Sequence, residues 1–278
     1  MYALQQSDPL EDIEIDLMLE GIFRQYGFDF RNYARASLKR RIRNFARDEH
    51  VGSISLLQDR LLHDPGTLER FLYGLSVNVS AMFRDPNFYI AFRNDVVPFL
   101  RTYPFIRIWA AGVSMGEEVY SLAILLTEEG IYDRCRIYAT DMNDAILKKA
   151  KEGIYPVELM QTYTNNYMKA GGKKAFSEYY TAAYESAIMK SGLRDNIVFA
   201  QHNLATDASF NEFHVILCRN VMIYFNSQLQ AHVYNLLHES LVTFGVLGLG
   251  AKETMKCSPH EHAYEEVDTN ARLYRRIA

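Results

Sequence analysis

The residues best suited to chemistry lie in one short segment, 109–118, where a glycine-containing turn leads into two glutamates. A glycine turn after a strand lets a ligand approach the backbone in the crevice beyond the strand ends. A phosphate-binding loop places Lys and Ser or Thr at the next helix start, whereas Glu117 and Glu118 would repel a pyrophosphate there. The segment therefore favours a nucleoside that carries a cation and no phosphate, such as S-adenosylmethionine, over a dinucleotide. The alternative is that Gly112 forms an ordinary turn and the glutamates only improve the helix start.

A second candidate, Asp141, follows the apolar segment Arg136–Thr140, about 25 residues after the glycine turn. An acid at the end of this strand can accept hydrogen bonds from both hydroxyls of a ribose. The alternative role, capping the next helix, can be filled by Asn143 or Asp144. We therefore expect Asp141 to bind ribose.

Two further polar segments lie beside predicted elements. One contains Asn78, Ser80 and Arg84, which would face a ligand or, alternatively, belong to an interdomain linker. The other, residues 218–225, follows a buried strand, and polar residues at such strand ends often line the site of an α/β protein. Tyr224 in that segment would line the site or serve packing.

From residue 107 onward, short apolar segments alternate with amphipathic ones. The apolar segments predict strands at Ile108–Gly112, Arg136–Thr140, Val215–Cys218 and Val246–Ala251, and a closing hairpin of Ala263–Val267 and Arg272–Ile277. The amphipathic segments predict helices at Glu117–Glu129, Asp144–Glu152 and Ser227–Thr243. Strands that are buried on both faces and alternate with helices predict a doubly wound α/β sheet. The stretch 155–196 is too long for a simple loop, so we predict a helix followed by a small β excursion.

The first 76 residues have a different pattern, which predicts a small helical domain. The basic stretch 31–47 carries seven cations and no acid, and its apolar residues recur at helical spacing. Such a stretch is usually a solvated face, but it also suits an acidic partner that Arg35, Lys39 and Arg43 would steer. The predicted division is a helical domain 1–76, a linker 77–106 that contributes to the ligand pocket, and an α/β domain 107–278 with the insertion 155–196.

Composition places the chain among ordinary globular proteins. Of its 278 residues, 49% are hydrophobic and 23% are charged, and the formal net charge is −4, so we expect no binding to nucleic acid through bulk charge. Three scattered cysteines indicate reduced thiols, and no segment has the pattern of a signal peptide or a membrane helix. We therefore expect a cytoplasmic protein that is not embedded in a membrane. Cys257, His260 and His262 match no metal-binding pattern, so no metal is expected.

Taken together, these segments resemble the chemotaxis receptor methyltransferases, the CheR-type family. The resemblance rests on six motifs in this order: Leu38–Ile42, Asn78–Pro86, Gly116–Ser121, Ala139–Asp141, His202–Leu204 and Cys218–Phe225. It implies a seven-stranded Rossmann-like methyltransferase sheet with a final antiparallel strand, a small N-terminal all-helical domain and an inserted small β-subdomain. It also implies that S-adenosylmethionine donates a methyl group to glutamate side chains of chemoreceptors. The implied products are glutamate methyl esters and S-adenosylhomocysteine.

The same resemblance assigns roles by position in the motifs. The implied cofactor-binding residues are Asn78, Ser80, Arg84, Glu118, Asp141, Asn203, Leu204, Arg219 and Asn220. Arg219 and Tyr224 would lie nearest the transferred methyl group and act as catalytic residues. The implied partners are the cytoplasmic methylation helices of chemoreceptors, with the β insertion as a candidate site for a receptor's C-terminal tail. Two alternatives stay open: a methyltransferase of this type that acts on another protein, and a regulator that binds S-adenosylmethionine or its product without catalysis.

Overall fold

The polypeptide forms two units that are built in different ways. The structure, a computed structural model, describes residues 9–75 and 80–278. The helical unit comprises Met1–Ser76 and Tyr224–Leu229, and the sheet unit comprises Val77–Ile223 and Gln230–Ala278. Within the described ranges, no helix has the length and apolar character needed to cross a bilayer.

The helical unit packs its helices around an apolar core. They are α1 (Pro9–Tyr26), α2 (Arg35–Asp48), α3 (Ile54–His63) and α4 (Pro65–Leu75). The Ser53 hydroxyl starts α3 by accepting a first-turn backbone N–H at 3.2 Å, and the fixed φ of Pro65 suits the first position of α4. Phe71 of α4 is fully buried against the rings of Phe30 and Phe45. These contacts explain why apolar residues recur at helical spacing in this part of the sequence.

The basic stretch of α2 is neutralised within the helical unit. Lys39 Nζ lies 3.0 Å from the Glu11 carboxylate, and Arg43 Nε lies 2.5 Å from the same group. Arg35 pairs with Asp12 at 3.2 Å and with a second acid of α1 at 2.5 Å. The hypothesis that Arg35, Lys39 and Arg43 steer an acidic partner stays a prediction, and acids 19 to 32 residues earlier in the chain offset part of their charge.

The sheet unit contains the predicted seven-stranded sheet. Its strands, numbered in chain order, are β1 (Ile106–Ala111), β2 (Cys135–Asp141), β6 (Ile197–Gln201), β7 (Phe213–Cys218), β8 (Leu241–Leu249), β9 (Tyr264–Asp268) and β10 (Leu273–Arg276). They lie in the order β6-β2-β1-β7-β8-β10-β9. The first five run parallel, and β10 is antiparallel to both of its neighbours. The expected Rossmann-like methyltransferase sheet with an antiparallel last strand is thus confirmed.

In the sheet unit, two of the described helices precede β1 and the others lie between successive strands of the chain. They are α5 (Pro86–Ala91), α6 (Val97–Leu100), α7 (Glu117–Glu128), α8 (Asp144–Glu152), α9 (Met160–Lys169) and α10 (Ser227–Ser240). A π-helical turn, Phe92–Val96, joins α5 to α6, so residues 86–100 of the stretch interpreted from sequence as a linker are helical. Ile124 and Leu125 of α7 are fully buried, since this helix is enclosed on nearly all sides.

The stretch 155–196 forms the predicted small β-subdomain. Its strands β3 (Ile154–Pro156), β4 (Tyr180–Ala183) and β5 (Ser186–Met189) pair antiparallel in the order β3-β5-β4. The sequence predicts a helix followed by β structure. In the structure one strand, β3, comes before helix α9, and this strand was not predicted. Tyr163 and Tyr167 of α9 are buried, and the Tyr167 ring lies 5.2 Å from that of Phe176.

Two elements of the main sheet differ from the sequence-based expectation. Strand β6 was not predicted, because it lies at an edge of the sheet and side chains such as Val198 are exposed. Strand β8 begins at Leu241, where a helix was expected to continue to Thr243. The start of β8 is irregular: Phe244 is exposed and has a φ of 68°. The sequence of β6 does contain a continuous apolar run at 197–200, but this run is only four residues long.

Candidate functional site

Four neighbouring strands, β6, β2, β1 and β7, run parallel and end at the same edge of the sheet. The chain leaves β1 toward β2 and leaves β7 toward β8, so the strand order reverses between β1 and β7. Ligands of open α/β sheets bind in the crevice at such a switch point, beyond the carboxyl ends of the strands. The fold thereby gathers these predicted residues at one edge: Glu118, Asp141, Asn203, Leu204, Arg219 and Asn220.

The turn after β1 requires glycine for a packing reason. Gly112 has a φ of 69°, and its N–H donates to the Thr140 carbonyl at 2.8 Å. A Cβ at this position would lie 2.6 Å from Cγ2 of Val221, which is shorter than real contacts allow. Gly116, with a φ of 89°, precedes α7. The structure therefore favours the ordinary structural explanation for Gly112 over a direct role in ligand approach.

Asp141 is held at the tip of β2 by backbone groups. Its Oδ2 accepts the Ser114 N–H at 3.0 Å and its Oδ1 accepts the Asn143 N–H at 3.1 Å. Burial raises the pKa of this carboxyl, and the hydrogen bonds from the backbone oppose that rise. Asn143 caps α8 by accepting two N–H groups, so the capping role is filled without Asp141. Each Asp141 oxygen keeps further lone pairs with which a hydroxyl pair could bond.

The two glutamates at the start of α7 have different surroundings. Glu118 Oε2 accepts a hydrogen bond from Arg219 Nη1 at 2.6 Å. Glu117 is buried, and its Oε1 lies 3.5 Å from the Tyr163 hydroxyl. Burial raises the pKa of Glu117 from 4.5 to about 7, while hydrogen bonds from Ser80 and Tyr163 lower it. The expectation that the two glutamates repel a phosphate stays a prediction, and burial of Glu117 opposes the ionised form of one of them.

Arg219, which follows β7, is a buried cation between two acids whose side chains are partly exposed. Its side chain is 1% exposed, and its Nη1 and Nη2 donate to Glu118 at 2.6 Å and to Asp85 at 3.1 Å. The guanidinium carbon lies 3.8 Å from the centroid of the Phe88 ring. The three ionised groups sum to a charge of −1, which suits a cationic ligand nearby. Asp85, which adopts a left-handed φ of 57° before α5, was not identified from the sequence.

Glu253 holds the loop after β7 and was also not identified from the sequence. Its buried carboxylate accepts four backbone N–H groups: those of Asn220 and Gly250 at Oε2, at 2.8 and 2.6 Å, and those of Val221 and Met222 at Oε1, at 2.9 and 2.8 Å. Burial raises the pKa of this carboxyl and the four N–H groups oppose the rise. The loop needs such support because Asn220 has a left-handed φ of 60°.

Other predicted residues take simpler positions. Asn203 forms the turn after β6, where its Oδ1 accepts the Ala205 N–H at 3.0 Å, and Leu204 is buried beside it. Arg84 is half-buried in the turn before α5. Asn78 lies outside the described residues.

Tyr224 belongs to the helical unit. Its carbonyl accepts the Ala34 N–H at 2.7 Å, and its ring centroid lies 4.7 Å from the Arg41 guanidinium carbon. Among the described residues, the predicted site residues Glu118 and Arg219 are in direct contact through an ion pair.

The side chains at the strand edge fit S-adenosylmethionine chemically. Asp141 offers carboxylate oxygens to ribose hydroxyls, and the negative group around Arg219 suits a sulfonium or an ammonium. In the described residues, no group of three or more His, Cys, Asp or Glu side chains could hold a metal ion. His260 of the Cys257–His262 segment instead stacks on His238, with ring centroids 4.0 Å apart.

Comparison with known proteins defines the class and then the family. A family model described as the SAM-binding domain of CheR methyltransferase matches residues 78–272, and a model of the CheR all-alpha domain matches residues 13–76. The sheet, the strand-edge residues and these matches define an S-adenosylmethionine-dependent methyltransferase. The chain belongs to the CheR methyltransferase family.

Relatives match along most of the chain. It is 51% identical over 265 residues to a Pseudomonas putida protein named as a methyltransferase, Cher3, with 95% of this chain and 97% of that one covered. It is 32% identical to a chemotaxis protein methyltransferase of Listeria monocytogenes, covering 88% of this chain and 92% of that one. It is 31% identical to chemotaxis protein methyltransferase 2 of Pseudomonas aeruginosa, covering 76% and 75%.

Proposed function

We propose that this protein transfers the methyl group of S-adenosylmethionine to glutamate side chains of chemoreceptors and forms glutamate methyl esters. The observation that carries the proposal is the set of charged side chains at the edge formed by β6, β2, β1 and β7, in a chain of the CheR family. Relatives from Listeria and Pseudomonas aeruginosa that are named chemotaxis protein methyltransferases support the choice of acceptor.

The cofactor role is shared among residues at the strand edge and before α5. We assign the ribose to Asp141, whose two oxygens each accept one backbone N–H and keep further lone pairs. Glu118 would attract the positive charge of the ligand, and the turn of Asn203 and Leu204 would contact its nucleoside part. The remaining assigned residues are Asn78, Ser80, Arg84, Arg219 and Asn220.

The chemistry needs orientation more than acid–base help. S-adenosylmethionine supplies a methyl group on a positively charged sulfur. A glutamate side chain has an ordinary pKa of about 4.3, so at neutral pH it is already an ionised nucleophile and needs no general base. Correct alignment of two reactants can lower a barrier by roughly 7–11 kcal/mol. The protein's task is therefore to hold the acceptor carboxylate in line and to exclude water.

Arg219 suits a positioning role in this reaction. A cation that binds the acceptor carboxylate tightly would stabilise the ground state, because the carboxylate loses its charge as the ester forms. Both Nη atoms of Arg219 already bind Glu118 and Asp85, which limits such over-stabilisation. We propose that Arg219 orders the site and that the Tyr224 hydroxyl orients the acceptor.

The domain roles complete the proposal. The helical domain 1–76 faces the acceptor, and residues 77–106 contribute to the cofactor pocket of the methyltransferase domain 107–278. The β-subdomain is a candidate site for a receptor's C-terminal tail. The reaction would take place in the cytoplasm, on the methylation helices of the receptor. Methylation of receptor fragments with and without the tail measures the contribution of this subdomain.

The test is transfer of a tritiated methyl group to a receptor cytoplasmic fragment. The proposal predicts label on glutamate that is released as methanol by mild base, since methyl esters are base-labile. Substitution of the acceptor glutamates by Gln should abolish the label. Base-stable label, or no label although the protein binds S-adenosylhomocysteine, would contradict the proposed acceptor.

A second acceptor is favoured by one observation. The relative with 51% identity is named as a methyltransferase without an acceptor in its name. Another protein carboxylate would then replace the receptor glutamate. Base-labile label on other proteins, but not on receptor fragments, would support this second function. Binding of S-adenosylhomocysteine without any transfer would instead indicate a regulator.

A further inference from the structure

A cleft with a volume of about 540 Å³ opens beside Arg219 in the sheet unit. Leu249, at the end of β8, and Phe88 of α5 contribute apolar walls, and Asn270 contributes an amide. This volume lies in the range of sites that hold small ligands or a few side chains. Because Arg219 also reaches Glu118 at the strand edge, the cleft adjoins the site at which the cofactor is proposed to bind.

Two of the three charged side chains that line this cleft form an ion pair with each other, and the third does not take part in it. Asp85 and Arg219, which both line it, neutralise each other in an ion pair of 3.1 Å. Lys169, in the last turn of α9, also lines it and is exposed. The nearby Lys173 pairs with Glu129 at 2.7 Å, but the described part of the chain provides no carboxylate partner for Lys169. The cleft therefore presents one ammonium group whose charge is not neutralised from within.

We propose that the acceptor peptide occupies this cleft and that Lys169 binds a carboxylate next to the acceptor glutamate. This inference rests on the proposed methyl transfer to glutamate. An ammonium bound to the acceptor carboxylate itself would lose its attraction as the ester forms, which raises the barrier. A neighbouring carboxylate keeps its charge throughout, so the contact contributes equally to ground and transition states. Lys169 is thus a specificity-determining residue that selects an acidic segment.

The binding test uses the full-length protein saturated with S-adenosylhomocysteine. Two fluorescent peptides share one acceptor glutamate and differ in the flanking residues, which are Glu in one and Gln in the other. We expect the wild-type protein to bind the acidic peptide about threefold to fivefold more tightly at low salt, as an exposed ion pair allows. Lys169→Ala should remove the preference. Lys151→Ala, at the exposed end of α8 and outside the cleft, is the matched control and should retain it.

Two further measurements separate this contact from a structural role. Lys169→Glu should prefer a peptide with flanking Lys, and Lys169→Ala should raise KM for the acidic peptide while kcat stays unchanged. A preference for the acidic peptide that persists in Lys169→Ala, or no preference in the wild type, would overturn the inference. Binding that depends on Lys169 without any methyl transfer would leave the inference standing and overturn the proposed function. Equal kcat/KM for the two peptides in the wild type would overturn the inference and leave the proposed function standing.

Discussion

Arg219 and Arg35 make nearly the same bonds in two different surroundings. Each guanidinium bridges two carboxylates: Arg219 at 2.6 and 3.1 Å, and Arg35 at 2.5 and 3.2 Å. The Arg219 side chain is 1% exposed, whereas that of Arg35 is 39% exposed. Water screens the exposed pairs, which are typically worth less than about 1 kcal/mol. The charged hydrogen bonds of a buried guanidinium are worth more, about 1.5–3 kcal/mol each. Burial therefore distinguishes Arg219 in the candidate site from Arg35 on the surface, although their hydrogen bonds have similar lengths.

The largest effect is expected from Arg219→Met. Glu118 and Asp85 would lose the charged hydrogen bonds of their shared cation, so the free energy of unfolding should fall by about 2–3 kcal/mol. Methyl transfer should fall at least about a hundredfold, because the strand edge loses its charge arrangement. Chemical denaturation and the labelled-methyl assay measure the two quantities. A loss of stability below about 1 kcal/mol would show that Arg219 behaves like an exposed arginine and would break the comparison.

Glu117 sharpens the comparison, because it is a buried acid without a bound cation. Its pKa is raised from 4.5 to about 7, mainly by burial, so the native protein binds the proton more tightly than the unfolded chain does. Stability should then fall as the pH rises from about 4.5 to 7, by up to about 3 kcal/mol. Glu117→Gln should remove this dependence and be relatively more stable at pH 8 than at pH 4.5. Denaturation series at both pH values measure it, and parallel curves for the two proteins would refute the raised pKa.

Glu253 shows what a buried carboxylate does when backbone donors replace a cation. Glutamine at this position keeps one carbonyl oxygen, so two of the four N–H groups lose their acceptor. We expect Glu253→Gln to cost about 2 kcal/mol of stability and to weaken S-adenosylhomocysteine binding through the loop of Asn220. Calorimetry and denaturation measure these effects. Glu265→Gln, on an exposed strand, is the control. Unchanged cofactor affinity in Glu253→Gln would reduce Glu253 to a purely structural residue.

The smallest effect is expected at the helical unit. Arg35→Met should lower the free energy of unfolding by less than about 1 kcal/mol, because the lost pairs are screened by water. Affinity for S-adenosylhomocysteine should stay unchanged. The difference from wild type should shrink further in high salt. If Arg35→Met lowered the free energy of unfolding as much as Arg219→Met does, solvent exposure would not determine how much these ion pairs stabilise the protein.

The sequence predicts the elements whose patterns are local. Strands β1, β2 and β7 appear as apolar segments because both of their faces are buried, and α8 is recognised from the cap at Asn143. Strand β6 also carries an apolar run, 197–200, but four residues next to the insertion 155–196 do not by themselves distinguish a sheet strand from part of that insertion. Glu118 and Asp141 could be identified because each stands at the end of a predicted element.

Residues that act over long chain distances leave no such signal. Asp85 binds Arg219, which is 134 residues away, and Glu253 accepts the N–H of Asn220, which is 33 residues away. Backbone donors have no side-chain identity, so no spacing in the sequence indicates the role of Glu253. The same reason explains why the ion pairs of α2 could not be predicted, since its partner acids lie on another helix. Local spacing finds the ends of strands, but only the fold shows which charges meet.

The most direct test of the account is calorimetric titration of S-adenosylhomocysteine into the wild-type protein, Asp141→Asn and Asp144→Asn. Asp141 sits at the strand edge, whereas Asp144 lies three residues further on and pairs with Lys148 at the surface. The account predicts binding to the wild type, an affinity at least about tenfold lower in Asp141→Asn through loss of charged hydrogen bonds, and no change in Asp144→Asn. Equal affinity for all three proteins, or none for the wild type, would contradict it.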